Sequence, residues 1–233
     1  MAVKACLNGG REAAEHRALP LTPAELAADA VAAHQAGAFA VHVHPRGTSG
    51  EQTLDRSACD AAVAAIRRAV PGLPIGLSTA EAIDRDPFSR AAAIAAWREP
   101  PDFVSVNLSE AGWGGVVRAA LHAGIGVEAG LSSPEDAREL LDSPFTHRVV
   151  RALVEIEGGV EEARAVAALI PSEVFQLWHG YGQRTWEIVE AGALAGHDVR
   201  IGLEDVLVLP DGSAAGGNAE LVACAVEIVQ RAS

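Results

Sequence analysis

Eight short runs rich in β-branched and apolar residues alternate with alanine-rich stretches of helical period from one end of the chain to the other, and this alternation constrains the fold more than any other feature. The runs are Val3–Asn8, Phe39–Pro45, Pro74–Thr79, Phe103–Leu108, Gly124–Ala129, Val149–Ile156, Glu173–His179 and Val199–Glu204. Helices are predicted near 23–36, 55–69, 87–97, 113–122, 134–141, 159–169, 183–194 and 217–231. Thr22-Pro23-Ala24-Glu25 has the form of a capping box with proline at the first helical position, and Ser133-Pro134-Glu135-Asp136 repeats it with a shorter acid. Strands separated by helix-length segments pair in parallel through right-handed crossovers. Eight such units leave an open doubly wound sheet or a closed (β/α)8 barrel. No GxGxxG follows the first strand and no GxxxxGK[ST] occurs, so the nucleotide-type open sheet lacks its marker. The expectation is a TIM barrel, and the absence of a Pro/Ser-rich linker predicts one domain over 1–233.

Charge narrows the partners. Eighteen basic against 31 acidic residues give −13, which disfavours nucleic acid and anionic membrane surfaces. No run of about 18 apolar residues suggests a membrane span. Three scattered cysteines without a CxxC, and an N-terminus without signal-peptide character, fit a reducing cytoplasm. Only Lys4 is lysine, so Schiff-base chemistry has one candidate, and it stands at the start of strand 1, on the stability face of a barrel.

Barrel enzymes build their sites at the C-terminal strand ends and in the loops that follow. Those positions hold Asn8 and Arg11, then His42, His44 and Arg46, then Ser78 and Thr79, then Ser105, Asn107 and Glu110. Further round stand Glu128, Glu155 and Glu157, His179, and finally Arg200, Glu204 and Asp205. In a strand, residues i and i+2 share a face, so His42 and His44 can point at one ion. Two imidazoles plus a carboxylate are a common Zn²⁺ set, although an inward pair satisfied by acids explains HxH alone equally well. Glu204 can approach both imidazoles from strand 8, with Asp205 free beyond the strand end as a base and Arg200 positioned to orient an acid. A helix-start acid pair and a structural arginine are the plainer readings. Ser78 and Thr79 lack a histidine partner and a GxSxG elbow, so substrate hydrogen bonding or helix capping suits them better than nucleophilic attack. Glu128 and His179 stand alone, and satisfied barrel-mouth side chains account for them as well as a role does.

The segment Leu19-Pro20-Leu21-Thr22-Pro23-Ala24-Glu25-Leu26, then Ala36-Gly37-Ala38 and Val41-His42-Val43-His44-Pro45-Arg46, resembles the β-keto acid cleavage enzymes. His179-Gly180, Thr185-Trp186, Gly196-His197, Val199 to Asp205, Pro210-Asp211-Gly212 and Asn218 to Val222 extend the resemblance, in order, across nearly the whole chain. The resemblance implies a zinc-dependent barrel that exchanges acyl groups between a β-keto acid and acetyl-CoA to give acetoacetate and a new acyl-CoA, and a homo-oligomer is expected. It implies His42, His44 and Glu204 as metal ligands and Asp205 as the base, assisted by Arg200. Ser78 corresponds to the strand-3 serine and Glu128 to a strand-5 glutamate; Asn8, Arg11, Thr79 and Asn107 complete the expected substrate contacts. The chain departs from the familiar members in its shorter middle loops and C-terminal extension, in Val206 where asparagine is common, and in Arg11 where members acting on amino-substituted keto acids carry an acid that binds the ammonium group. Arg11 would instead suit a carboxylate or a neutral polar group. Two rival readings share the same residues: a metal-dependent carbon–carbon lyase that does not use CoA, and a barrel that only binds ligand.

Overall fold

The computed structural model describes residues 1–232, so the last position of the expected 1–233 unit lies outside the described residues. Strands β1 (Val3–Cys6), β2 (Ala38–Val43), β3 (Ile75–Ser78), β4 (Phe103–Asn107), β5 (Gly126–Leu131), β6 (Arg151–Ile156), β7 (Gln176–Gly180) and β8 (Asp198–Ile201) pair in parallel in chain order. β1 pairs with both β2 and β8, which closes the ring and excludes the open sheet. Between and after them run α1 (Pro23–Gln35), α2 (Arg56–Ala69), α3 (Pro87–Ala96), α4 (Trp113–His122), α5 (Pro134–Asp142), α6 (Val160–Ala167), α7 (Thr185–Leu194) and α8 (Asn218–Ala232). Among the described residues no helix is long and apolar enough to cross a membrane.

Local chemistry sets the boundaries. The Thr22 hydroxyl accepts from the Glu25 N–H at 3.2 Å and the Glu25 carboxylate accepts from the Thr22 N–H at 2.9 Å, a complete capping box. The shorter Asp136 instead accepts from the N–H of Ser132, one residue before the cap. β5 begins two residues later than expected because Gly124 and Ile125 finish α4: Gly124 turns at φ +74°, and the Ile125 N–H returns to Ala120 O at 2.9 Å. β8 ends three residues earlier than expected. A side chain at Gly202 would overlap the Cys6 carbonyl, and the N–H groups of Asp205 and Val206 both fold back onto Gly202 O, at 2.9 and 3.0 Å.

Two different interiors result. Outward strand residues such as Val41, Val43, Leu77, Val104 and Val127 pack against Ile66, Ile94 and Val116 in an apolar layer. The bore inside the strands is charged instead. Lys4, fully buried, pairs with Glu128, whose other oxygen lies 3.2 Å from Arg151 Nε. The bare Cα of Gly76 leaves room for the Phe103 ring, and Lys4 Nζ lies 5.5 Å from the centre of that ring. Lys4 therefore projects into the lower part of the bore, beside the first residues of β4 and β6, and its ammonium is held in an ion pair. Removing one member of a buried pair strands the other charge. Lys4→Met is expected to lower the unfolding free energy by about 3–5 kcal/mol in urea denaturation, and adding Glu128→Leu should recover part of that loss. An unchanged denaturation midpoint for Lys4→Met would contradict this account of the bore.

Candidate active site

The residues at the C-terminal end of the bore are built from the strands upward. With Val41 and Val43 facing the helices, His42 and His44 both face inward, and their Nε2 atoms come within 3.1 Å of each other. Glu204 reaches them from the turn after β8, with oxygens 3.9 Å from His42 Nε2 and 3.5 Å from His44 Nε2. Gly9, at φ +53°, lies so close to Glu204 that any side chain there would overlap its Cγ. Asn8 locks the second histidine in place: its amide donates to His44 O and accepts from His44 N, both at 2.8 Å. Gln52 Oε1 lies 2.5 Å from His44 Nδ1. An amide oxygen only accepts, so Nδ1 carries the hydrogen and Nε2 keeps its lone pair.

These residues fit a divalent metal. One ligand atom from each of His42, His44 and Glu204 falls within 4.8 Å of the others, and the buried Glu204 Oε2 has no hydrogen-bond partner. Two nitrogens and a carboxylate match the preference of Zn²⁺ and leave a coordination position open. Burial lowers the pKa of His42 well below its ordinary value, which keeps the ring in the neutral, ligating form.

Arg200, buried in the bore, binds both acids of the turn. Its Nη2 donates to Glu204 Oε1 and, at 2.7 Å, to Asp205 Oδ1, while Nε lies 3.2 Å from each Asp205 oxygen. Because the strand has already ended, the turn brings both carboxylates onto one guanidinium. Burial pushes Glu204 up, but Arg200 and the two imidazoles outweigh it and hold the carboxyl well below the usual range. For Asp205 burial wins over Arg200, and the neighbouring Glu204 charge adds to it, raising the pKa to about 6.

The other expected residues divide. Ser78 closes the inner face of β3, and Asn107 borders a cavity of about 540 Å³ with Ser109, Ser132, Glu155 and Tyr181. Thr79 directs its hydroxyl at Ser105 O, 2.7 Å away, and its carbonyl accepts from the buried Arg90. Glu128 sits down the bore with Lys4 and Arg151, not at the mouth. Arg11 donates to Leu203 O and to Glu15 (2.8 Å), so it clamps the β8 turn and its charge is already answered. Sequence reasoning missed Gln52 and Tyr181. Gln52 is brought to His44 by an isolated bridge between Arg46 and Gln52, which no spacing rule announces. A second hollow of about 600 Å³, beside Phe175, His197 and Asp198, opens at the N-terminal ends of β7 and β8 and contains none of these residues.

The fold is a closed parallel barrel that carries, at its C-terminal mouth, a two-histidine, one-carboxylate cluster able to hold a metal ion, beside an arginine-held aspartate. The model of the beta-keto acid cleavage enzyme family matches residues 1–154 and 138–233, and the chain belongs to that family. It is similar to the 3-keto-5-aminohexanoate cleavage enzyme of Fusobacterium nucleatum subsp. nucleatum, at 23% identity over 98% of this chain and 90% of that one. Among solved structures, a ternary complex of ObcA with a C4-CoA adduct and oxalate superposes with a TM-score of 0.71 at 16% identity, covering 91% of this chain but 64% of that one. The binary complex of ObcA with oxaloacetate gives 0.71, 16%, 90% and 63%. The present chain thus spans a little under two thirds of ObcA. A native KDPGal structure gives a TM-score of 0.66 at 20% identity, over 100% of this chain and 96% of that one. At these identities the structural likeness concerns the fold.

Outer hydrogen-bond partners fix the ring and tautomer of a metal-binding histidine, and losing one typically weakens metal binding 10–100-fold. Gln52→Ala is therefore expected to weaken zinc binding by about 10–100-fold in a chelator competition. Zinc affinity equal to that of the parent protein would show that Gln52 does not hold the ring.

Proposed function

We propose that this protein exchanges acyl groups between a β-keto acid and acetyl-CoA, releasing acetoacetate and a new acyl-CoA. The observation that carries the reading is the placement of Asp205, gripped by Arg200, immediately beside the His42–His44–Glu204 cluster. The family and the CoA adduct held by ObcA support the substrate class.

A zinc ion held by His42, His44 and Glu204 would supply Lewis-acid charge to the carboxylate and ketone oxygens of the substrate. Asp205 takes a proton from the carbon between those two groups, and Arg200 keeps its carboxylate aimed at that carbon. The resulting carbon nucleophile displaces CoA from the acetyl thioester. The freed thiolate then attacks the original ketone, the carbon–carbon bond breaks to give the new thioester, and the proton held by Asp205 returns to the released carbon to complete acetoacetate. In this reading Ser78 and Asn107 hold the substrate, supported by the position of Ser78 at the end of β3 and of Asn107 on the 540 Å³ cavity. No protein nucleophile is needed: Lys4 is tied to Glu128, and burial pushes the Cys6 thiol well above its ordinary pKa.

We also read residues 1–233 as one domain that acts in the cytoplasm as a homo-oligomer. The three free cysteines support a reducing compartment, and the exposed Phe88, Phe175 and Leu194 support self-association. Zinc-loaded protein given acetyl-CoA and a panel of β-keto acids is expected to form new acyl-CoA species detectable by mass. Asp205→Asn should lower kcat by about 10²–10⁴-fold with zinc content unchanged. If the keto acids are cleaved equally well without acetyl-CoA, the protein is a lyase and not an exchanger.

A further inference from the structure

Beside the base lies a buried group that the reaction above does not use. His179, the fourth residue of β7, has no solvent exposure, and neither of its ring nitrogens makes a hydrogen bond. Both nonetheless face carboxylates: Nδ1 lies 3.6 Å from Asp205 Oδ1, and Nε2 lies 3.4 Å from Glu155 Oε2. Two unpartnered nitrogens in one buried ring are rare and call for an explanation. The Tyr181 ring meets the imidazole edge-on at 5.0 Å and restricts its rotation. Glu155 stands at the end of β6 on the 540 Å³ cavity, 3.5 Å from Tyr181 Oη. Gly130 leaves the space beside it open, since a Cβ there would lie 3.0 Å from Glu155 Oε1.

We propose that His179 is a positioning residue for Asp205: it directs an Nδ1–H at Oδ1, while Glu155 presents its own hydrogen to Nε2 and so fixes the tautomer. This inference rests on the reading of Asp205 as the base. A neutral imidazole donates from one nitrogen and accepts at the other. Between two ionised carboxylates one of its nitrogens is always mismatched, and a hydrogen on Glu155 removes the mismatch. Burial raises Glu155 to about 7, against the opposing charge of Arg200, and burial holds His179 well below its ordinary value. The consequence is an asymmetric carboxylate. Oδ1 of Asp205 receives two Arg200 contacts, at 2.7 and 3.2 Å, as well as the imidazole, whereas Oδ2 receives only the 3.2 Å contact from Nε. Oδ2 is left as the oxygen that takes the proton. Contacts of 3.4–3.6 Å are of the kind that tighten in the substrate complex.

The test uses three replacements and one spectrum. The amide nitrogen of asparagine stands near the place of Nδ1, that of glutamine near Nε2, and leucine keeps only bulk. His179→Leu is expected to lower kcat by about 10²-fold with KM changed less than about threefold. His179→Asn should recover part of the rate and His179→Gln should not. A ring that merely fills space would give three similar variants, and that result overturns the proposal. Independently, in ¹⁵N spectra of histidine-labelled, zinc-loaded protein at neutral pH, the ring signal that is lost in His179→Leu should be that of a neutral imidazole with its hydrogen on Nδ1. That tautomer should disappear in Glu155→Ala. A doubly protonated ring, or one with hydrogen on Nε2, overturns the proposal without reference to activity. The expected spectrum from a protein that performs no acyl exchange would remove the reading of the reaction and leave the hydrogen-bonded string standing.

Discussion

The site depends on one guanidinium placed where water does not reach. Arg200 rises from β8 into the bore at 2% exposure and holds Glu204 and Asp205 together. A buried cation of that kind is tolerated only with well-made partners, and two adjacent carboxylates provide them. Its effect on the two acids differs with their surroundings. Glu204, which also faces two imidazoles, stays ionised and suited to a metal, whereas Asp205, more deeply enclosed, has its pKa raised to about 6. Two neighbouring carboxylates thereby acquire two characters from their environments alone, which suits the proposed roles of ligand and base.

That arrangement needs the chain to turn sharply after β8, and the turn depends on small and polar residues around it. Gly202 lets the backbone pass against Cys6, Leu203 N donates to Asn218 Oδ1 at 2.7 Å, and Asn218 in turn donates to Leu7 O at 2.8 Å. The first and last strands are thus joined by side chains as well as by the barrel ladder. Arg11 adds a clamp from the loop after β1. The apolar layer between strands and helices gives the barrel its stability, and the charged bore gives the mouth a dry, polarised floor in which electrostatic contacts act strongly.

Much of this was legible in the sequence, for reasons that also explain the failures. The eight strands and eight helices follow from periodicity, because burial on one face writes its period directly into a segment. The pairing of His42 with His44 follows from strand geometry within one segment, and the approach of Glu204 from the closure of β8 onto β1. Glu128 was expected at the mouth because β5 was expected two residues too early, the glycine that ends α4 having been counted into the strand. Arg11 and Thr79 have the side chains of substrate readers, yet each is engaged by backbone carbonyls from elsewhere in the barrel. Gln52 and the Glu155–His179–Tyr181 cluster depend on contacts between separate strands or loops. Such contacts leave no period and no spacing in a single sequence.

The central claim is that the acetyl group of acetyl-CoA ends in a new carbon–carbon bond. Acetyl-CoA labelled with ¹³C at the thioester carbonyl, incubated with zinc-loaded protein and an unlabelled β-keto acid, tests it most directly by NMR of the products. The account predicts that the label emerges at the ketone carbon of acetoacetate while an unlabelled acyl-CoA accumulates. Cleavage of the keto acid with the label still in acetyl-CoA would contradict it.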